Sequence, residues 1–272
     1  MKKKFDGYVI VSDLDGTLLD DNKNVSDENI DAINYFTENG GKFSVATGRV
    51  VEATEEYISK IKVNIPIIVY NGGVIYDYNN KKILSEKFVD ENQKQITNRI
   101  KEDYESIGME IYANRKLYVL KDSGNSIRSA TQMLDIIYEI NEEVFSMDWH
   151  KILIVGKSEV IDYVEKTFED KYKMKGTRSG KTSYELLPAN ESKGQALKNI
   201  IKMYNLDQSK VICVGDNMND LELLQEAAFS FCPENGSEQL KKYSDFIAPS
   251  NEEHVIKHIV KWLENEITSS ET

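Results

Sequence analysis

Residues 8–19 read YVIVSDLDGTLL, and few folds accommodate such a stretch. Residues 8–12 are mostly β-branched or aromatic, a short run typical of a strand buried on both faces. The run stops at two carboxylates one residue apart, Asp13 and Asp15, and Gly16 and Thr17 follow. The chain therefore leaves the strand through a turn whose backbone N–H groups are free to point at an anion. Ligands of an open parallel sheet bind beyond the carboxyl ends of its strands, where Asp13 falls. Two carboxylates this close repel, and both rise in pKa unless a cation shares them. A hard divalent ion with oxygen ligands, Mg²⁺ first among them, is the simplest remedy. One aspartate could then attack phosphorus while the other handles a proton. Taken alone, Asp-x-Asp reads more simply as a solvated acidic turn, so the rest of the chain has to decide.

It repeats the same arrangement. Ser26 caps an expected helix with its buried side at Ile30, Ile33 and Phe36, ended by Asn39-Gly40-Gly41. A second short strand over residues 43–46 ends at Thr47-Gly48-Arg49, and a helix to about Lys60 is expected after it. Pro66 opens a third strand, IIVY, ending at Asn71-Gly72-Gly73. Strand and helix alternating in this order predict a doubly wound, Rossmann-like parallel sheet, an α/β fold with polar groups at one edge.

The rhythm changes near Ile83. A helix is expected from about residue 90 to 107, then strands EIYA and LYVL, then a second helix through Ile127, Ala130, Leu134 and Ile137. Strand KILIVG, a helix through Ile161, Val164 and Phe168, and strands near Met174 and Tyr184 complete an inserted α+β unit. Ser192-Lys193-Gly194 then opens a helix, strand VICVGD restores the first rhythm, and a helix near Asn219, strands FSFC and DFIAP and a final helix follow. The expected division is a core of residues 1–84 and 186–272 with an insert of residues 85–185.

At 272 residues with 40% hydrophobic side chains, the chain can bury a sizeable core, and its net charge of −12 argues against a nucleic-acid binder. Cys213 and Cys232 lie in apolar runs without metal-ligand spacing, as buried thiols of a reducing compartment would. Met1 and three lysines look like the start of a signal peptide, but the apolar run after them is too short and Asp13 and Asp15 interrupt it. No run approaches a membrane span. A soluble, cytoplasmic protein is expected, a monomer or weak homo-oligomer with no membrane or nucleic-acid partner.

Asp13-Leu14-Asp15-Gly16-Thr17, Thr47-Gly48-Arg49, Lys193 and Gly215-Asp216-Asn217-Met218-Asn219-Asp220 occur here in the order of the haloacid dehalogenase-like phosphatases. Over nearly its whole length the chain resembles their Cof-type branch, whose large α/β cap the insert would be. The resemblance implies a Mg²⁺-dependent phosphatase of a small phosphorylated metabolite. Asp13 would be the nucleophile, becoming an aspartyl phosphate, and Asp15 the acid and base. Thr47 and Lys193 would clamp the phosphoryl oxygens. Mg²⁺ would be held by the Asp13 carboxylate, the Asp15 carbonyl and Asp216. Asp220 would complete the metal set from behind, paired with Lys193. Gly48, Arg49, Asn71, Gly72 and Asn219 would face the substrate.

Other readings differ in class. A phosphomutase or phosphonate-cleaving relative shares the core motifs, although Asp15 counts against the phosphonate case. A phosphoryl-sensing module would keep the acidic site without turnover, and Asp15 and the large insert count against that. Tyr184 and Glu185 lie where the insert returns to the core, and packing is the simpler account of both. His254 and His258, at i, i+4 on the final helix, lack a third ligand, and His150 beside Trp149 reads as packing. Two segments depart from the branch: Phe229-Ser230-Phe231-Cys232-Pro233-Glu234-Asn235-Gly236 stands where a Val-Ala-Met-Gly-Asn-Ala-like run is common, and Glu253-His254-Val255 where Asp-Gly-Val is. Neither touches the catalytic set, but both weaken any transfer of substrate from other members.

Overall fold

The computed structural model describes residues 3–124 and 134–270. Strand β1 (Val9–Ser12) is completely buried inside a five-stranded parallel sheet. Its neighbours are β2 (Lys42–Val45) on one side and β12 (Val211–Val214) on the other, and β13 (Phe229–Pro233) and β14 (Phe246–Ala248) extend the sheet beyond β12. Val11 lies between Ser44 and Cys213, so β1 has no free edge, and all four of its residues are buried, which suits its apolar run Val9-Ile10-Val11. Helix α1 (Asp27–Glu38) starts at Ser26, whose Oγ accepts a 3.3 Å hydrogen bond from the Asn29 amide.

The expected helix after Arg49 is reduced to a 3₁₀ turn (Glu52–Thr54) and a single turn, α2 (Glu55–Ile58). The β-branched Val50, Val51 and Thr54 disfavour a longer helix, and the Thr54 hydroxyl turns back to the Val51 carbonyl at 2.6 Å. β3 (Ile67–Val69) touches the parallel sheet through one bridge, Ala46 to Ile68. It then pairs antiparallel with β4 (Val74–Asp77), which pairs with β5 (Lys82–Glu86), a hairpin the sequence reading did not separate.

Helix α3 (Glu91–Asp103), opened by a capping box between Asp90 and Gln93, leads into a second sheet. Its strands are β6 (Gly108–Ala113), β7 (Lys116–Lys121), β8 (Asp135–Ile137), β9 (Trp149–Val155), β10 (Thr177–Gly180) and β11 (Ser183–Leu186), in spatial order β10-β11-β9-β6-β7-β8. All pairs are antiparallel except β7 with β8, and a single helical turn, α4 (Glu143–Ser146), lies between β8 and β9 in the chain. Of the helix expected through Ile127, Ala130, Leu134 and Ile137, the described part contains a strand at Asp135–Ile137. Ile127 and Ala130 lie outside the described residues, and Ile136 and Ile137 pair with Leu117 and Tyr118. β-branched residues fit that edge better than a helix end. Met174 likewise is not in a strand: Lys173 takes a left-handed conformation as the C-cap of α5 (Ser158–Tyr172), and β10 begins at Thr177.

The two faces of this cap sheet have different partners. Met109, Ile111, Ile152 and Ile154 pack with Ile96 and Ile100 of α3 and with Ile161, Val164 and Phe168 of α5. The alternate residues Tyr112, Leu117, Leu153 and Val155 join the apolar cluster of the core. Period-two alternation puts Glu110, Lys151 and Glu185 on that core-directed face too. After β11, α6 (Lys193–Met203), α7 (Leu221–Gln225), α8 (Glu238–Lys241) and α9 (Val255–Ser270) complete the core. No helix among the described residues is long and apolar enough to cross a membrane.

Candidate active site

Asp13, Thr47, Asn71 and Asp216 each follow a strand of the core, and the parallel register brings them to one edge. Lys193 reaches that edge from the first turn of α6, where the Ser192 Oγ caps the Gln195 amide at 3.1 Å. Gly72 lets the helix come so close: its φ is +107°, and a Cβ there would lie 2.1 Å from the Ser192 carbonyl oxygen.

Lys193 is completely buried and bonds two carboxylates at 2.6 Å, Asp13 Oδ1 and Asp220 Oδ1. Burial opposes its charge, but Asp13 and then Asp220 outweigh that and raise its pKa. Burial pushes Asp13 well above the usual carboxylate range despite the pull of Lys193. Burial, and next the charge of Asp220, pushes Asp216 up to about 7. Carboxylate oxygens of Asp13, Asp216 and Asp220 lie within 4.8 Å of one another. When all are ionised, three carboxylates face one ammonium, an excess of two negative charges with only oxygen donors. That set fits a hard divalent cation.

Asp220 lies behind the other two carboxylates and pairs with Lys193. Its Oδ1 holds Lys193, and its Oδ2 accepts from the Asp216 and Asn217 amides at 3.0 and 3.3 Å. Both oxygens are taken by protein donors, so Asp13 and Asp216 are the carboxylates left to face an ion.

Asp15 meets different surroundings. Arg49 grips it bidentately, Nε to Oδ2 at 2.7 Å and Nη2 to Oδ1 at 2.8 Å, and Lys23 adds a contact at 3.0 Å. Burial would raise the carboxyl, but Arg49 and Lys23 together hold it at about 2. Arg49, expected against the substrate, is committed to Asp15 and lies over the Tyr57 ring at 4.6 Å. In this arrangement Asp15 is an ionised carboxylate.

The remaining expected residues form a network. Thr47 is buried, and its Oγ1 accepts from the Arg49 amide at 3.2 Å. Asn71, left-handed at φ 53°, donates its amide to the Thr47 carbonyl at 2.9 Å, and Asn219 donates to Asn71 Oδ1 at 3.3 Å. Two cap side chains join them: Glu185 accepts from Asn71 at 2.9 Å, and Lys151 donates to the Gly48 carbonyl at 2.9 Å. Sequence reading left Glu185 as packing and did not single out Lys151. The available signal was alternation, since Lys151 shares a strand face with Leu153 and Val155.

Tyr184 packs as expected, stacked on Phe168 on the opposite sheet face, and its hydroxyl accepts from the Gly176 amide. His150 stacks on Tyr70 with centroids 4.9 Å apart. His254 precedes α9 in a left-handed conformation, with Nδ1 3.0 Å from Ser26 Oγ, so it does not share a helix face with His258. A cleft of about 1530 Å³ opens beside Asp216 and Asn219, walled by Arg178 and Lys181 of the cap and Asn190 of its connection.

A buried carboxylate paired with a buried lysine, and an acidic cluster at the edge of a doubly wound sheet, fit a phosphoryl-transfer enzyme with a capped site. The chain belongs to the haloacid dehalogenase-like hydrolases, whose family model matches residues 10–260. It is similar to the 5-amino-6-(5-phospho-D-ribitylamino)uracil phosphatase YwtE of Bacillus subtilis, 27% identical with 93% of this chain and 97% of that one covered. Its structure is similar to a haloacid dehalogenase-like hydrolase from B. subtilis, 25% identical, at a TM-score of 0.82 with 93% and 99% of the two chains covered. The fold is also that of the subclass IIB sugar phosphatase BT4131, 15% identical, at a TM-score of 0.79 with 96% and 99% covered. The protein is thus a Cof-type phosphatase with an α/β core and a cap.

Proposed function

We propose that the protein hydrolyses a small phosphorylated metabolite, a sugar phosphate or similar phosphomonoester, through an aspartyl phosphate on Asp13. The observation that carries this reading is Lys193, buried between Asp13 and Asp220 with Asp216 beside them. Lys193 orients Asp13, and one Asp13 oxygen forms a bond to phosphorus as the bond to the leaving oxygen breaks. Thr47 Oγ1 and the Lys193 ammonium stabilise the phosphoryl oxygens as charge spreads over them. Asp15 gives a proton to the leaving oxygen, then takes one from the water that attacks the phosphoenzyme, releasing orthophosphate. To act first as an acid it must leave Arg49, whose grip keeps it ionised here.

Mg²⁺ would be held by the Asp13 and Asp216 carboxylates and the Asp15 carbonyl, where it supplies neutralising charge at the transferring group. The cap, residues 85–185, covers the site and excludes water. The cleft can hold a sugar phosphate, and two similar proteins are named for phosphorylated ribityl or sugar substrates. Buried free Cys213 and Cys232 and the acidic composition fit a monomer or weak homo-oligomer in the cytoplasm.

The test is phosphate release from p-nitrophenyl phosphate, followed by a screen of phosphorylated metabolites. EDTA should abolish release and Mg²⁺ restore it. Full turnover in chelator by metal-free protein would overturn the metal assignment, and no phosphate release at all would overturn the reading.

A further inference from the structure

The three carbonyls of Thr47-Gly48-Arg49 are all held. The core holds the outer two, through the Asn71 amide on Thr47 O and the Tyr70 amide on Arg49 O, both at 2.9 Å. The middle one, Gly48 O, accepts from Lys151 Nζ of the cap at 2.9 Å. Gly48 C=O and Arg49 N–H belong to one rigid peptide plane. That N–H is the donor to Thr47 Oγ1, the hydroxyl that the phosphatase reading assigns to the phosphoryl group. Lys151 thereby sets the plane that orients Thr47.

Lys151 is itself fixed by the cap. Its ammonium is 3.1 Å from Glu185 Oε2 and 4.8 Å from the centroid of the Tyr112 ring. The same Glu185 oxygen accepts from Asn71, whose Oδ1 accepts from Asn219 in the loop after Asp216. Both side chains are 6% exposed, and neither lines the cleft. Lys151 Nζ and Glu185 Oε2 bond each other and the core, away from the cleft where a leaving group would lie.

We propose that Lys151 and Glu185 are positioning residues, through which the seated cap holds the Thr47-Gly48-Arg49 turn and Asn71 in phosphoryl-binding geometry. The inference rests on the phosphatase reading above. It predicts a loss shared by every substrate, small or large, because the lesion lies at the phosphoryl group.

The test compares Mg²⁺-loaded full-length protein with its Lys151→Met, Glu185→Gln and double variants. Lys151→Met should lower kcat/KM on p-nitrophenyl phosphate and on sugar phosphates by one common factor, about ten- to a hundredfold, the scale of a charge-assisted hydrogen bond. Inhibition by orthovanadate should weaken in parallel, and deuterium exchange should rise at the Arg49 amide while the circular dichroism spectrum holds. Glu185→Gln, isosteric and so the safer variant for folding, should shift all three readouts in the same direction by less. In the double variant it should add little to Lys151→Met. Losses confined to bulky substrates would make the pair leaving-group contacts and overturn the proposal. Unchanged vanadate affinity and Arg49 exchange in folded Glu185→Gln would also overturn it. A wild-type protein that releases no phosphate would instead defeat the phosphatase reading itself.

Discussion

Asp13 and Asp15 lie one residue apart and meet opposite environments. Asp13 is sealed against Lys193, whereas Asp15 reaches outward to Arg49 and Lys23. Asp13→Asn should abolish turnover, since an amide is a poor nucleophile, while leaving the thermal melt in place. Asp15→Asn should slow turnover about 10²- to 10⁴-fold. With an aryl phosphate, whose leaving group needs no acid, it should let phosphoenzyme accumulate, and label on any residue but Asp13 would contradict the assignment. Asp216 makes a prediction in pH. Its carboxyl sits at about 7 in the fold against 3.8 when free, so between those values the folded state binds the extra proton. Metal-free stability from this group therefore falls as pH rises through that window. A divalent ion must displace the same proton, so Mg²⁺ affinity should rise with pH below 7, by up to about tenfold per pH unit from this group. Calorimetric titration from pH 5.5 to 8 checks this, and a flat profile would refute it.

At the scale of elements, the site depends on how closely α6 approaches the turn after β3. Tyr70, Asn71 and Gly72 are consecutive residues with positive φ, a costly conformation for a tyrosine. The turn is held by backbone bonds to Thr47 and Arg49 and by the peptide of Ser192 and Lys193 against Gly72. Gly72→Ala puts a Cβ into the Ser192 carbonyl at a φ that disfavours any side chain. It should cost more than about 1 kcal/mol in urea unfolding. Because the displaced element carries Lys193, kcat should fall beyond what the lost folded fraction explains. Equal kcat in the folded fraction would show that α6 position does not govern the chemistry.

Across the whole molecule, cap and core share apolar surface as well as a site. Tyr112, Leu117, Val119, Leu153 and Val155 belong to the same cluster as Ile10, Phe43 and Val214 of the central sheet. The cap is therefore part of the folding unit. Replacing residues 85–185 by a short Gly/Ser linker should lower the melting temperature and promote self-association, read by calorimetry and size-exclusion chromatography. A monomeric core with the full-length melting temperature would show that the shared cluster is dispensable.

The sequence alone determined the strand-end chemistry. Buried parallel strands such as VIVS and VICV have to be mainly apolar, and the polar residues just beyond them, Asp13, Thr47 and Asp216, have to fall at one edge. Local signals also placed Ser26 as a helix cap and the start of a helix at Ser192-Lys193-Gly194, because helix starts are settled within a few residues. What the sequence could not determine was decided by partners far along the chain. The pairing of Arg49 with Asp15 spans 34 residues, and that of Lys151 with Gly48 spans 103. Neither follows from local periodicity, so Arg49 reads as a substrate contact and Lys151 does not stand out at all. Alternation decides only which face of a strand a lysine occupies. Whether that face meets water, a helix or the carbonyl of Gly48 depends on how two sheets pack, and that is a property of the assembled fold.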